Sequence, residues 1–167
     1  MKTLLIVRHA KSSWGNLGEP DFERDLNERG KKEAPEMAKR ILDKKITIDV
    51  FISSPARRAK KTCKAFCKVF EKNEDKIIFV DKLYHADCET FYDVIENIDD
   101  DYKYAAIFSH NPGITDFVNT LCKNFTLDNM PTCAVFAVSI AIKSWKDFKT
   151  EEKNFLFFDY PKAVMPK

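Results

Sequence analysis

The chain has 167 residues, 44% hydrophobic and 32% charged, which excludes a disordered tail, a fibre and a disulfide miniprotein. Its 28 basic residues stand against 26 acidic ones, so the formal charge of +2 gives no global reason to expect nucleic acid, and any anion affinity must be local. The five cysteines, an odd number, argue against a secreted disulfide framework. No apolar run approaches the ~20 residues of a membrane span, and the run before Arg8 is too short for a signal peptide. The expectation is a single domain over residues 1–167, soluble and cytoplasmic, with reduced thiols and no membrane partner.

In chain order, residues 3–7 read as a buried strand, continuous rather than alternating as a central parallel strand should be. A polar, turn-rich stretch over 11–25 follows. Residues 27 to about 44 read as a helix with Ala34, Met37, Ala38, Ile41 and Leu42 on one face, and Pro35 is expected within its first turn or two. A second strand spans 49–53. Ser54-Pro55 then combines an N-cap with a proline at the first helical position, opening a helix to about Phe70. A third strand over 76–80, a short helix over 89–98 and a fourth strand over 104–108 come next. Asn111-Pro112-Gly113 opens another helix, and strands over 134–142 and 154–159 close the chain. Such alternation predicts a three-layer αβα sandwich with a mainly parallel sheet. The last two strands have no helix between them and are expected to form an antiparallel edge.

In open α/β sheets ligands bind outside the carboxyl ends of the strands. Arg8-His9 follows the first strand, Arg57 and Arg58 lie at the start of the helix after the second, and Ser109-His110-Asn111 follows the fourth. Two of the three histidines and at least two arginines therefore meet at one rim. Helix amino termini near Ser54 and Asn111 would add N–H groups. Arginine offers a permanently charged fork for two phosphoryl oxygens, and neutral imidazole can attack phosphorus. A second, protonated imidazole can neutralise the transferred group. Since phosphoryl transfer is mostly positioning and electrostatics, such a set could work without Mg²⁺. The plain alternative for each residue is a hydrogen-bonded or solvated side chain.

Other phosphate chemistries lack their signatures. No G-x-x-x-x-G-K-S/T occurs, no cysteine has an arginine six residues on, and Asp99-Asp100-Asp101 follows a helix without a strand before it. Cys63 and Cys67 share a helix face, but no histidine or cysteine pair completes a zinc site, so they read as core or surface thiols.

Leu5-Ile6-Val7-Arg8-His9-Ala10-Lys11 resembles the signature after the first strand of the histidine phosphatase superfamily. Ser53-Ser54-Pro55-Ala56-Arg57-Arg58-Ala59-x-x-Thr62 is similar to its second block, Ser109-His110-Asn111-Pro112-Gly113 to its third, and Asp25-Leu26-Asn27-Glu28-Arg29-Gly30 to the turn into its first helix. The compact length and the His-Asn-Pro-Gly form resemble the SixA-type phosphohistidine phosphatases within it. The resemblance implies a phosphoglycerate-mutase-like fold, with His9 as nucleophile and Arg8, Arg58 and His110 lining the phosphate pocket. It implies no metal and no cofactor. Arg58, three after the proline and before alanine, matches the family arginine, which leaves Arg57 as a neighbouring surface charge. Ser12 stands where some members place another phosphate contact.

The sequence departs from the family pattern at Ala10, where glycine is usual and an added methyl could move the loop, and at Asp25, where proline is usual. The loop over 81–87 also lacks an obvious glutamic acid at the place where other branches supply the proton donor. General acid catalysis is typically worth 10²–10⁴-fold for an alcohol leaving group, whereas a phosphorylated imidazole leaves readily. The expected substrate is therefore phosphohistidine in a protein, with activity that survives EDTA and falls at acidic pH as His9 is protonated. The alternatives are a phosphatase of small phosphate monoesters using His85 or Asp87 as acid, and a phosphate- or phosphoprotein-binding module without turnover.

Overall fold

The computed structural model describes residues 1–163. Six strands, β1 (Lys2–Arg8), β2 (Val50–Ser53), β3 (Ile78–Phe79), β4 (Tyr104–Ser109), β5 (Val135–Ile140) and β6 (Lys153–Asp159), form one sheet in the order β3-β2-β4-β1-β5-β6. The first four are parallel, and β5 and β6 continue the sheet as the antiparallel edge expected from the missing crossover helix. Among the described residues, no helix is long and apolar enough to cross a membrane.

Alternation along the buried strands makes the three layers. Leu4 and Ile6 of β1, Ile52, Ile107, Phe136 and Val138 face one side, against α3 (Cys88–Glu96) and α4 (Gly113–Val118) through Phe91 and Phe117. Leu5, Val7, Phe51, Ala106, Phe108 and Val135 face the other, against α1 (Glu28–Asp43) and α2 (Arg57–Val69) through Met37, Ile41 and Phe66. The expected three-layer α/β architecture is therefore present. A run such as Leu4-Leu5-Ile6-Val7 shows no amphipathic period because both its faces are covered, with every side chain at 0% exposure.

Several boundaries differ from expectation. Asn27 caps α1 by accepting from the Gly30 N–H at 2.8 Å, and Pro35 falls at the eighth residue, just past the second turn. Ser54 is not the cap of α2, which begins at Arg57 after Ala56; its hydroxyl instead accepts from the Ala56 N–H at 3.2 Å and meets His110. Only two residues of the expected third strand join the sheet, because the chain from Glu74 to Lys76 winds into a 3₁₀ turn. The Asp100 carboxylate accepts from the Trp145 N–H (2.7 Å) and the Ser144 hydroxyl (2.9 Å), pinning the fully buried Trp145. Cys63 and Cys67 are free and lie in the core.

Candidate active site

Strand register brings the predicted residues together. Arg8 of β1 pairs with Ser109 of β4, so the next residue on each strand is a histidine, and the rings of His9 and His110 lie 5.1 Å apart. One strand further, the N–H of Ser54 donates to Phe108 O, and the Ser54 hydroxyl stands 2.7 Å from Nε2 of His110. The first turn of α2 then carries Arg58 to the same rim. Arg8, His9, Arg58 and His110 line a cavity of about 470 Å³.

His9 is buried, and its Nδ1 lies 2.8 Å from Ala10 O. A carbonyl can only accept, so Nδ1 carries the proton and Nε2 keeps the lone pair a nucleophile needs. Burial first, with the charges of Arg8, Arg58 and Arg24, pushes the His9 pKa down from 6.5 to about 3, against an opposing pull from the Ala10 carbonyl. Burial likewise drives His110 down to about 2, helped by His9 and Arg58 and opposed by Asp21. Before an anion binds, the protein's own surroundings therefore favour the neutral form of both rings. A phosphoryl dianion would bring the opposite charge and favour the protonated form.

Arg8 and Arg58 are both fixed from behind. Arg8 Nη1 donates to Met130 O at 2.8 Å, a carbonyl also held by the Asn111 amide at 3.2 Å. Arg58 donates from Nη1 to Asp21 O (2.7 Å) and from Nη2 to Asp21 Oδ2 (3.0 Å). The Asp21 carboxylate also accepts from the Tyr84 hydroxyl (2.6 Å) and from Arg24 (2.9 Å). The Tyr84 bond, followed by Arg58, holds Asp21 down at about 2, so it stays ionised and cannot act as a proton donor near neutrality. Arg8 Nε and His110 Nδ1 are buried without a protein partner among the described residues. Such atoms are costly in a folded protein unless something satisfies them, and an oxyanion offers acceptors to both side chains.

Ser12 lines the cavity, with its hydroxyl accepting from Arg24 Nη2 at 2.5 Å. His85 also lines it, its ring centroid 3.9 Å from that of Tyr84. Asp87 does not: its carboxylate caps α3, accepting from the N–H (2.9 Å) and hydroxyl (2.7 Å) of Thr90, which hold it below the usual carboxylate range. Arg57 is an exposed charge 3.4 Å from Asp25. The methyl of Ala10 is accommodated at 0% exposure, and its N–H donates to Thr62 Oγ1, which donates in turn to Arg58 O. That chain ties the nucleophile loop to α2 and explains a threonine four residues after Arg58.

Asp21, Arg24 and Tyr84 were not singled out from the sequence. Asp21 and Arg24 sit in a polar loop with no period to mark them, and Tyr84 carries no carboxyl group that would mark it as a proton donor. Trp14 is 85% exposed at the cavity rim, with the Arg24 guanidinium 4.9 Å from its ring.

Comparison with known proteins agrees with this geometry. The chain is 36% identical over 88 residues to phosphoserine phosphatase 1 of Hydrogenobacter thermophilus, a match spanning 48% of this chain and 40% of that protein. The structure of a protein assigned as phosphohistidine phosphatase SixA from Agrobacterium tumefaciens superposes with a TM-score of 0.78 at 24% identity, covering 96% of this chain and 98% of that one. The protein histidine phosphatase SixA in complex with tungstate superposes at 0.81 and 19% identity, over 95% and 97%. Those identities speak for a shared fold. The family model for the histidine phosphatase superfamily, branch 1, matches residues 4–91, a span that holds the His9 loop and the Arg58 helix. With more than half of its length matched, this chain belongs to the histidine phosphatase superfamily.

Proposed function

We propose that the protein is a phosphatase working through a phosphohistidine intermediate on His9, and that its substrate is phosphohistidine in a protein. The observation that carries this reading is the His9 Nδ1–Ala10 O bond, which leaves Nε2 with its lone pair in a pocket walled by Arg8 and Arg58. In the first step Nε2 attacks phosphorus in line. The Nε2–P bond forms as the substrate P–N bond breaks, and the leaving imidazole departs neutral with the ring proton it brought. Arg8, Arg58 and His110 hold the transferred oxygens, and Ser12 lies beside them. In the second step water attacks phosphorus, the Nε2–P bond breaks, and the water protons leave with inorganic phosphate and solvent.

The two arginines supply the charge that a divalent ion supplies elsewhere, so activity is expected to survive EDTA. A phosphoramidate also suits a pocket in which Asp21 is held ionised and Asp87 is turned away to cap a helix.

Two observations favour a second reading, a phosphatase of small monoesters: His85 stands at the cavity rim, where it could protonate an alcohol, and the 36% identical relative is a phosphoserine phosphatase. Phosphate release from a phosphohistidine peptide and from an alkyl phosphate, both in EDTA, separates the two. Faster turnover of the peptide supports the proposal. Faster turnover of the ester, lost in His85→Ala, supports the alternative.

A further inference from the structure

Helix α2 carries six basic residues among its thirteen and no acidic one. Arg57, Lys60, Lys61, Lys64 and Lys68 recur at helical spacing on one outer face, while Ala59, Thr62, Cys63, Phe66 and Cys67 bury the other. Like charges at i, i+4 work against a helix, and this face sets Arg57 beside Lys61, Lys60 beside Lys64 and Lys64 beside Lys68. Asp25 stands 3.4 Å from Arg57 and 3.7 Å from Lys61. Lys60, Lys64 and Lys68 have no carboxylate partner among the described residues.

The position of the face matters as much as its charge. Arg57, Lys60, Lys61 and Lys64, with Phe22, Glu23 and Pro55, line a hollow of about 340 Å³. Phe22 and Glu23 belong to the 3₁₀ turn Asp21–Glu23, and Asp21 lines the catalytic cavity, so a single turn of chain separates the two hollows. Lys60 Nζ lies 5.5 Å from the Phe79 ring centroid, and Ile78 and Phe79 are exposed on the edge strand β3. A cationic strip bordered by exposed apolar side chains, one turn from a phosphoryl pocket, has the makeup of a protein-binding surface.

We propose that the outer face of α2 docks an acidic surface of the protein that carries the phosphoryl group, an inference that rests on the phosphoprotein reading above. A small phosphate ester held in the pocket would not reach across the turn, whereas a folded partner would. The strip is about 20 Å long, on a molecule whose net charge is only +2; that suits one acidic patch rather than an extended polyanion.

The test uses the full chain and the variant Lys60→Glu/Lys64→Glu, with Lys60→Gln/Lys64→Gln beside it. Neither lysine touches the pocket, and circular dichroism checks folding. Two phosphohistidine peptides serve as probes, one flanked by glutamates and one by serines. We expect the wild type to favour the glutamate peptide through KM by about tenfold at low salt, a preference that shrinks at high salt. The glutamate variant should lose this preference, with kcat and the serine peptide changed by less than about twofold. Equal KM for the two peptides in the wild type, or a preference that persists in both variants, overturns the docking face. Should neither peptide be hydrolysed, the catalytic reading has failed instead, and fluorescence anisotropy of the unphosphorylated glutamate peptide decides the docking face alone. Binding lost in the variants sustains it; no binding overturns it, as does tighter binding of a single-stranded oligonucleotide abolished by the same substitutions.

Discussion

Nδ1 of His9 lies 2.8 Å from the carbonyl oxygen of Ala10, its own neighbour in the chain, and the contact fixes which nitrogen holds the proton. The same peptide is tied to α2, since the Ala10 N–H donates to Thr62 Oγ1 at 2.9 Å. Ring tautomer and loop position thus share one anchor beneath the pocket, and the account of catalysis depends on both.

The acid limb of the kcat/KM profile should lie well below the ordinary histidine range. His9 must be neutral to attack, and burial holds it at about 3 rather than 6.5. The free enzyme should therefore keep its activity down to about pH 4 once the substrate's own ionisation is divided out. The expected fall at acidic pH is thereby placed below about pH 4. A limb centred near 6.5 in the corrected profile would contradict the burial argument.

The same shifts fix the sign of the stability change. His9 at about 3 and His110 at about 2 both lie below the unfolded value of 6.5, so below pH 6.5 the unfolded chain binds more protons. Stability should fall as pH drops from 6.5 towards 3, by at most about 1.4 kcal/mol per pH unit for each histidine. Urea unfolding at a series of pH values measures this. His110→Asn should remove about half of the histidine part of the slope, and an unchanged slope would refute the assignment.

Asp21→Asn should tighten the binding of inorganic phosphate. The carboxylate occupies Arg58 Nη2 at 3.0 Å and adds a negative charge beside the pocket, while an amide keeps the shape without that charge. Inhibition by phosphate should strengthen by about three- to tenfold. Weaker inhibition would mean that Asp21 serves chiefly to position Arg58.

Gly113→Ala should destabilise the fold and lower activity together. A methyl at Gly113 would run into the backbone carbonyl of Ala86, next to His85, and Gly113 follows His110 by three residues. Overpacking against backbone typically costs about 1–3 kcal/mol. Chemical denaturation and turnover should both register it, and a neutral result in both would show that the loops can part without cost.

These relationships differ in how far the sequence exposes them. Leu4-Leu5-Ile6-Val7 and Ala105-Ala106-Ile107-Phe108 read directly as buried parallel strands, and once they are neighbours in register, the histidine after each must meet the other. The pocket's back wall is less legible. Asp21 and Tyr84 are 63 residues apart and meet through an aromatic contact between Phe22 and Tyr84, which no local pattern announces. Ser54-Pro55 fits a helix start, yet the Ser54 hydroxyl meets His110 across the sheet, a contact no local pattern announces. Residues 76–80 have the composition of a strand, but Lys76 ends a 3₁₀ turn and only Ile78 and Phe79 pair in register with β2.

Covalent capture tests the central claim most directly. The enzyme is mixed with a phosphohistidine peptide labelled on phosphorus, quenched in alkali within a turnover and mapped by peptide digestion. An acid-labile, alkali-stable label is expected on the peptide containing His9, with neither label nor phosphate release from His9→Ala. Substantial turnover by His9→Ala, or a label on another residue, would contradict the His9 intermediate.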